Sequence, residues 1–491
     1  MPFNLFQLLE RRFGPSDDGM SRREMLRASV AAGTGLLLSQ TLVRAANQEA
    51  GKRVIVIGAG LGGLSAAYEL KSAKYDVTVI EARERVGGRV RTLDRFLKDK
   101  TVETGGEMVG ANHPTFAAYA KAFGIQFREI VYDKDAEAPI LLGGERLNPG
   151  AARRLWQEMR EALLQINADA AQVDAFQPWT SPNAAALDRR STAQWIESLK
   201  ISDQCRQAIT IQLTSINGVI PAWQSYLANL AMVKGGGVED YWTHTDFYHC
   251  VDGAQLLADE MSDEIGGEKF MLSTNVTAIK VAESGVAVTI ADGRILEADD
   301  VIVAVPCSTW NRIAFDPPLP GILTPQMGTN TKLLVAVKRR YWEQEQLSPR
   351  SLTDGPINLT WEDTNGQVGD FSACLTAYAG GPMADLAISW PAEERQDRYL
   401  AILEQLYPGL ARHFEKSIFI NWHNDPLARG TYSFPAPGQV TTIGPLLEQG
   451  FGRMHFAGEH CCPAFVGYME GALQSGVRLA ERLAKRDGLA K

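Results

Sequence analysis

The sequence predicts an α/β fold organised around a Rossmann-like dinucleotide-binding unit, joined to a second, α+β part. Three observations carry this reading. Residues 53–63, RVIVIGAGLGG, join a continuous apolar run to a glycine-rich turn and a helix, LSAAYEL. A second strand, DVTVIE, follows and ends on an acid, Glu81. Further along, AARRLWQEMREALLQI and STAQWIESL space apolar residues at three and four, as helices do, whereas KLLVAVK and SIFINW read as strands.

Near the N-terminus stand SRREMLR (21–27) and the apolar run ASVAAGTGLLL (28–38). Arg22, Arg23 and Arg27 supply a charged n-region, and Val43-Arg44-Ala45 places small residues for cleavage before Ala46. The run falls short of the roughly 20 apolar residues of a membrane span. It resembles a twin-arginine export signal, with Met25 where such signals often carry Phe. Residues 1–45 are therefore read as a leader outside the fold, and the protein as periplasmic or secreted. The plainer reading is a basic helix start followed by a small core helix.

The dinucleotide unit follows. Val54 to Ile57 is apolar throughout, as expected of a parallel strand buried on both faces. Gly58, Gly60 and Gly63 form G-x-G-x-x-G. The first glycine permits the tight turn, the second lets a pyrophosphate approach the backbone, and the third lets helix and strand pack closely. The helix N-terminus directs unpaired N–H groups at phosphate. Glu81 lies 18 residues after Gly63, where an acid accepts ribose hydroxyls. This does not choose between NAD and FAD.

Residues 81–89, EARERVGGR, bear on that choice. With them the sequence resembles the flavin-dependent amine oxidase family, which includes monoamine and polyamine oxidases. The resemblance implies FAD, with Glu81 on the adenosine ribose and Gly88 and Arg89 beside the diphosphate and flavin. Arg83 belongs to the same motif; Arg83 and Arg85 read equally well as solvated charges. VETGGEMVG (102–110) resembles the strand and turn beneath the flavin, including Gly105. NVTAIKV (275–281) resembles the strand whose backbone, near Val276, meets the adenine. DDVIVAVP (299–306) is the strand after it. FAGEHCCPAFVGYMEGALQSG (456–476) resembles the family's C-terminal signature, in which Glu459 holds a ribityl or diphosphate-side hydroxyl and Met469 opens the last helix. That helix N-terminus suits the negative charge that appears on flavin reduction.

On this resemblance the FAD-binding domain is discontinuous, drawing on 46–130, 250–310 and 450–491. The inserts 131–249 and 311–449 form the substrate-binding domain. The export signal and the cofactor then agree, because a flavoprotein loaded before export must cross the membrane folded.

Three residues mark the expected reaction centre. Lys332, in MGTNTKLLVAV, matches the family's lysine near flavin N5, usually reached through a water; otherwise it is a strand lysine at a sheet edge. Tyr432, in WHNDPLARGTYSF, and Tyr468, in VGYMEG, match the paired tyrosines that sandwich the amine, or are core tyrosines. Trp422 is read as packing close to the flavin or the cage wall. Thr431 stands where monoamine oxidases carry the cysteine that binds FAD, so the flavin is expected to be non-covalent. Gly105-Gly106-Glu107-Met108 lacks the arginine with which amino-acid oxidases bind a carboxylate. Glu107 is read as bonding nearby backbone N–H groups, or alternatively as pairing with the distal ammonium of a diamine. His249 and His460 are expected to be structural.

Composition bounds the rest. The chain has 491 residues, 45% hydrophobic and 22% charged, with a net charge of −9. That length supports two or three domains, and the acidity excludes a nucleic-acid role. The six cysteines make neither a disulfide scaffold nor a zinc pattern, and no metal is expected; Cys461 and Cys462 read as buried, inert thiols. The function expected is oxidation of an amine to an imine and then an aldehyde, with oxygen or a redox carrier protein as acceptor and the twin-arginine machinery as export partner. Homodimerisation stays open. The rivals are an L-amino acid oxidase, an amine dehydrogenase feeding a periplasmic carrier, and a flavin-fold binding protein without turnover.

Overall fold

β1 (Arg53–Ile57), α1 (Leu61–Ser72) and β2 (Asp76–Ile80) form the predicted strand–helix–strand unit in a computed structural model that describes residues 4–14, 51–131, 133 and 135–490. Two further strands, β3 (Phe270–Met271) and β4 (Asp300–Val303), and a last one, β5 (Met454–Phe456), complete a five-stranded parallel sheet in the order β5-β4-β1-β2-β3. The sheet explains the apolar run of β1. Val54 and Val56 enter one core, shared with α1 and the final helix α2 (Met469–Arg486). Ile55 and Ile57 enter another on the opposite face, with Ile279, Val288 and Phe456. A strand buried on both sides favours apolar residues on both faces. Gly476 of α2 lies against α1 so closely that a Cβ there would sit 2.5 Å from the Gly62 carbonyl oxygen.

A seven-stranded sheet forms the second part. Its strands run Phe414–Ile420, Asn330–Val337, Ala373–Gly380, Leu359–Glu362, Ser351–Thr353, Ile140–Leu142 and Glu145–Arg146 in spatial order. Asn330–Val337 is buried along its whole length between two neighbours, with Lys332 opposite Tyr378 on one side and Ile420 on the other. Lys332 is therefore on an interior strand, not at a sheet edge. The helix-patterned insert forms helices Pro149–Ala170, Thr192–Ser198, Asp203–Asn217 and Tyr226–Gly235, among others. Ser191 and Gln194 close a capping box on the second of these.

One element departs from the reading of residues 1–45. Leu5–Phe13 is a helix packed into the helical part of the fold, with Leu5 and Leu9 fully buried and Phe6 nearly so. Asn4 caps it, accepting from Phe6 N at 2.9 Å. Leu5 N donates to Gln212 Oε1 at 2.6 Å, Gln7 Nε2 to the Thr243 carbonyl at 2.7 Å, and Trp156 Nε1 to Glu10 Oε2 at 2.7 Å. A segment assigned to a leader outside the fold thus contributes to its core. The double arginine and the apolar run after it lie outside the described residues.

Candidate active site

A trough runs along the C-terminal end of the parallel sheet, where open α/β sheets place their ligands. Its first part, about 870 Å³, is lined by Gly58, Gly60, Glu81, Arg83, Gly88, Arg89 and Val276, among others. Gly58 has φ +105° and donates its N–H to the Ile80 carbonyl at 2.7 Å. A Cβ on Gly63 would lie 1.9 Å from the Gly58 carbonyl oxygen, so only glycine lets α1 start there. A Cβ on Gly60 would meet nothing within 4 Å, which leaves bare backbone at the N-cap of α1 facing the trough. These features fit a pyrophosphate on a helix N-terminus. Glu81 is buried; it accepts from Ala59 N and Arg83 N, each at 2.8 Å. A carboxylate has about four lone-pair sites, so two remain for ribose hydroxyls.

Arg83 is not a solvated charge. Its guanidinium makes a bidentate pair with Asp425, at 2.7 and 3.1 Å, and tethers the loop that carries Trp422. Arg85 instead donates to the carbonyls of Val86, Gly88 and Val90, tying the Gly87-Gly88 turn into place.

Gly60, Arg89 and Ala304 also line a second cavity of about 1070 Å³, which continues the trough between the two parts of the fold. Lys332, Tyr432, Tyr468, Gly105, Trp422, Glu459, Met469 and Thr431 all line it. The bonding is specific. Arg89 Nη1 donates to the Thr431 carbonyl at 2.8 Å and to Glu459 Oε1 at 3.0 Å. Glu459 also accepts from Ser433 Oγ at 2.7 Å and Gly467 N at 3.0 Å, so it joins three segments of the wall. Trp422 Nε1 donates to the Thr104 carbonyl at 3.0 Å. A Cβ on Gly105 would lie 1.8 Å from the Arg89 carbonyl oxygen, so this crossing requires glycine. Met469 begins α2, whose N-terminus faces the cavity.

Tyr432 and Tyr468 are buried, and burial holds both phenols well above their usual pKa. Tyr432 Oη lies 2.8 Å from Tyr378 Oη. Tyr468 meets His113 edge to face, with ring centroids 5.5 Å apart. Sequence reasoning missed Tyr378 and Trp361, the other aromatic walls of the cavity. Both lie on fully buried strands, where nothing in the local pattern separates a cavity wall from core.

Glu107 accepts from two side chains rather than from backbone N–H groups. Its Oε2 pairs with Lys332 Nζ at 2.9 Å, and its Oε1 accepts from Trp361 Nε1 at 2.8 Å. Burial alone would depress the Lys332 ammonium, but the adjacent carboxylate outweighs it and holds the pKa above its usual value. Burial likewise pushes the Glu107 carboxyl up, and the Lys332 ammonium, with the bond from Trp361, pulls it below the usual range. His249 is buried and drawn down to about 4 by burial, so it is neutral. His460 behaves the same way, packed under Trp310. All six cysteines are free thiols, and burial pushes Cys462 up to about 12.

The chain resembles proteins of one kind along most of its length. It is 29% identical over 464 residues to "Amine oxidase [flavin-containing]" of Danio rerio, covering 88% of this chain and 85% of that protein. It is 26% identical over 452 residues to "L-amino acid dehydrogenase" of Synechocystis sp., covering 87% and 94%. Its fold matches the cyclohexylamine oxidase of Brevibacterium oxydans with a TM-score of 0.81 at 25% identity, over 89% of this chain and all of that one. The family model for flavin containing amine oxidoreductases matches residues 61–484, and the chain belongs to that family.

Proposed function

We propose that this FAD-dependent amine oxidoreductase oxidises amines that carry no carboxylate, with its FAD held non-covalently. One observation carries the substrate class: the four charged side chains lining the inner cavity are already paired, Lys332 with Glu107 and Arg89 with Glu459. Among the described residues no lining cation is left for a substrate carboxylate, and the other walls are largely aromatic and apolar. Such a site disfavours an ammonium and favours the neutral amine, since burying an unpaired charge is costly.

When bound, FAD supplies the oxidation, accepting a hydride equivalent from the carbon beside nitrogen and leaving an imine that water hydrolyses to an aldehyde. The chain's residues hold and orient. The Gly58–Gly63 turn and Glu81 would take the ADP end, and the N-terminus of α2 would face the flavin ring. Tyr432, Tyr468, Tyr378 and Trp361 would wall the amine against it. Thr431 supports non-covalent attachment, because a hydroxyl cannot form the thioether. The three chain pieces of the parallel sheet are read as the cofactor domain, and the seven-stranded sheet with its helices as the substrate domain. The double arginine at 22–23 supports export of the folded, loaded protein.

The Synechocystis relative, by its name, acts on L-amino acids as a dehydrogenase, and this favours a second reading for substrate and acceptor. Anaerobic mixing with monoamines, diamines and L-amino acids, followed at the oxidised flavin band, separates the two. Bleaching by amines alone supports the proposal; bleaching by L-amino acids alone overturns it. Repeating the turnover with oxygen and with a cytochrome identifies the acceptor. Acid precipitation should leave yellow flavin in the supernatant, and flavin retained in the pellet would show a covalent bond.

A further inference from the structure

Lys332 is held by the protein at three points. An ammonium has three N–H donors. Here the protein takes all three: Glu107 Oε2 at 2.9 Å, the Gly105 carbonyl at 3.0 Å and the Glu103 carbonyl at 3.2 Å. The side chain is 9% exposed and that of Glu107 2%. The Trp361 ring lies 5.5 Å from Nζ, and its indole N–H fixes the other Glu107 oxygen. A neutral amine would leave one of the three acceptors unfilled, and a buried carboxylate without its counter-charge.

We propose that Glu107 is a positioning residue that locks Lys332 as a permanently charged, fully hydrogen-bonded ammonium in the cavity wall. Lys332 then acts as a fixed charge in the cavity wall beside the flavin. The inference rests on the flavin amine oxidoreductase assignment, but it concerns a pair of residues that the assignment does not define.

The surroundings concentrate the ionic role on Glu107. Three other acids and three other bases stand near the pair. Glu103, at the end of strand Lys100–Glu103, is pushed up to about 7 by burial. Asp363, just after strand Leu359–Glu362, accepts from Glu103 N and is held well above the usual range by burial. His249, 3.9 Å from Glu107 Oε1, is neutral. Asp246, Arg350 and Arg128 stand behind it. Of these acids Glu107 is the one whose carboxylate bonds Lys332, at 2.9 Å, whereas Glu103 meets it only through its backbone carbonyl, so Glu107 is the partner that balances the ammonium.

The test is the pH dependence of the flavin midpoint potential, measured on the holoenzyme without substrate. In the parent protein, Lys332 should contribute no break between pH 8 and about 10, a window above Glu103 and His249. In Glu107→Gln the nearest counter-charge is gone, and burial, opposed then only by the more distant Asp363 and Glu103, should draw the Lys332 ionisation down into that window, giving a new break. The break should be absent from the double variant Glu107→Gln/Lys332→Met and from Glu107→Asp, which keeps the charge. An unchanged profile in Glu107→Gln, or a break that persists in the double variant, would overturn the proposal. Should Glu107→Gln fold poorly, Glu107→Ala against Glu107→Ala/Lys332→Met makes the same comparison. Amine turnover tests the enzyme assignment separately, because these titrations contain no amine.

Discussion

Leu5→Ala tests whether the N-terminal helix belongs to the working fold. Leu5 is 0% exposed, and its backbone N–H is held by Gln212. Truncation to alanine removes the equivalent of three methylenes, about 2.4 kcal/mol of transfer free energy at about 0.8 kcal/mol each. The cavity left behind raises the usual cost of a core Leu→Ala change to about 2–5 kcal/mol. The helix can also come away from the fold, so its own docking energy caps the loss. Urea unfolding of the chain that retains residues 1–14, with and without the substitution, reads this directly. A second pair sharpens it. Trp156→Phe removes the bond to Glu10 Oε2, worth about 1.5–3 kcal/mol for a charged acceptor. That loss should appear in the full chain and nearly vanish in a chain beginning at Ala46, which has no Glu10. If Leu5→Ala leaves stability within about 0.5 kcal/mol of the parent, the variation expected of an ordinary surface change, the helix is not part of the folded unit.

Three further predictions follow from the site and the sheet. Gly63→Ala places a Cβ 1.9 Å from the Gly58 carbonyl oxygen and should purify with most of its flavin lost; full yellow occupancy would contradict the close-packing argument. Tyr432→Phe keeps the ring and loses the hydroxyl's bonds to Tyr378 Oη and to the Ser215 carbonyl, so flavin reduction should slow less than about threefold, while Tyr432→Ala should slow it roughly 5- to 30-fold, equivalent to about 1–2 kcal/mol of lost aromatic contact. Equal rates in the two variants would remove Tyr432 from the cage. Asp300 is buried and binds Arg486 at 2.7 and 2.9 Å; burial pushes its carboxyl up, and the bonds from His455 and Arg486 bring it below its usual value. A depressed folded pKa means its stabilisation is present above the unfolded value near 3.9 and is lost as pH falls through the folded value. Asp300→Asn should therefore destabilise at pH 7, by about 1–3 kcal/mol given that Arg486 keeps Asp487 and partial solvent, and the difference should shrink below about pH 4. A difference that is constant with pH would show that the pair carries no ionic stabilisation.

Local chemistry carries far in this chain. The β1–α1–β2 unit was legible because each part has a short-range cause. An unbroken apolar strand implies burial on both faces, glycines at fixed offsets imply a turn that a Cβ would block, and an acid at the end of β2 implies a ribose contact. The strand Asn330–Val337 was legible as an apolar run and the helix Pro149–Ala170 from apolar residues spaced at three and four, whereas Val276–Ala282 was read from the family resemblance. The tertiary structure alone decided partners. Nothing near Glu107 in the sequence announces Lys332, which lies 225 residues away, and nothing near Arg83 announces Asp425. Nor did the leader-like pattern at 21–45 show that the nine residues of Leu5–Phe13 would be held by Gln212, Thr243 and Trp156. A lone charge reads the same whether it meets water or a buried counter-charge. That difference is set by which distant strands the fold brings alongside it, because the energy of an ion depends on its surroundings and not on its neighbours in the chain.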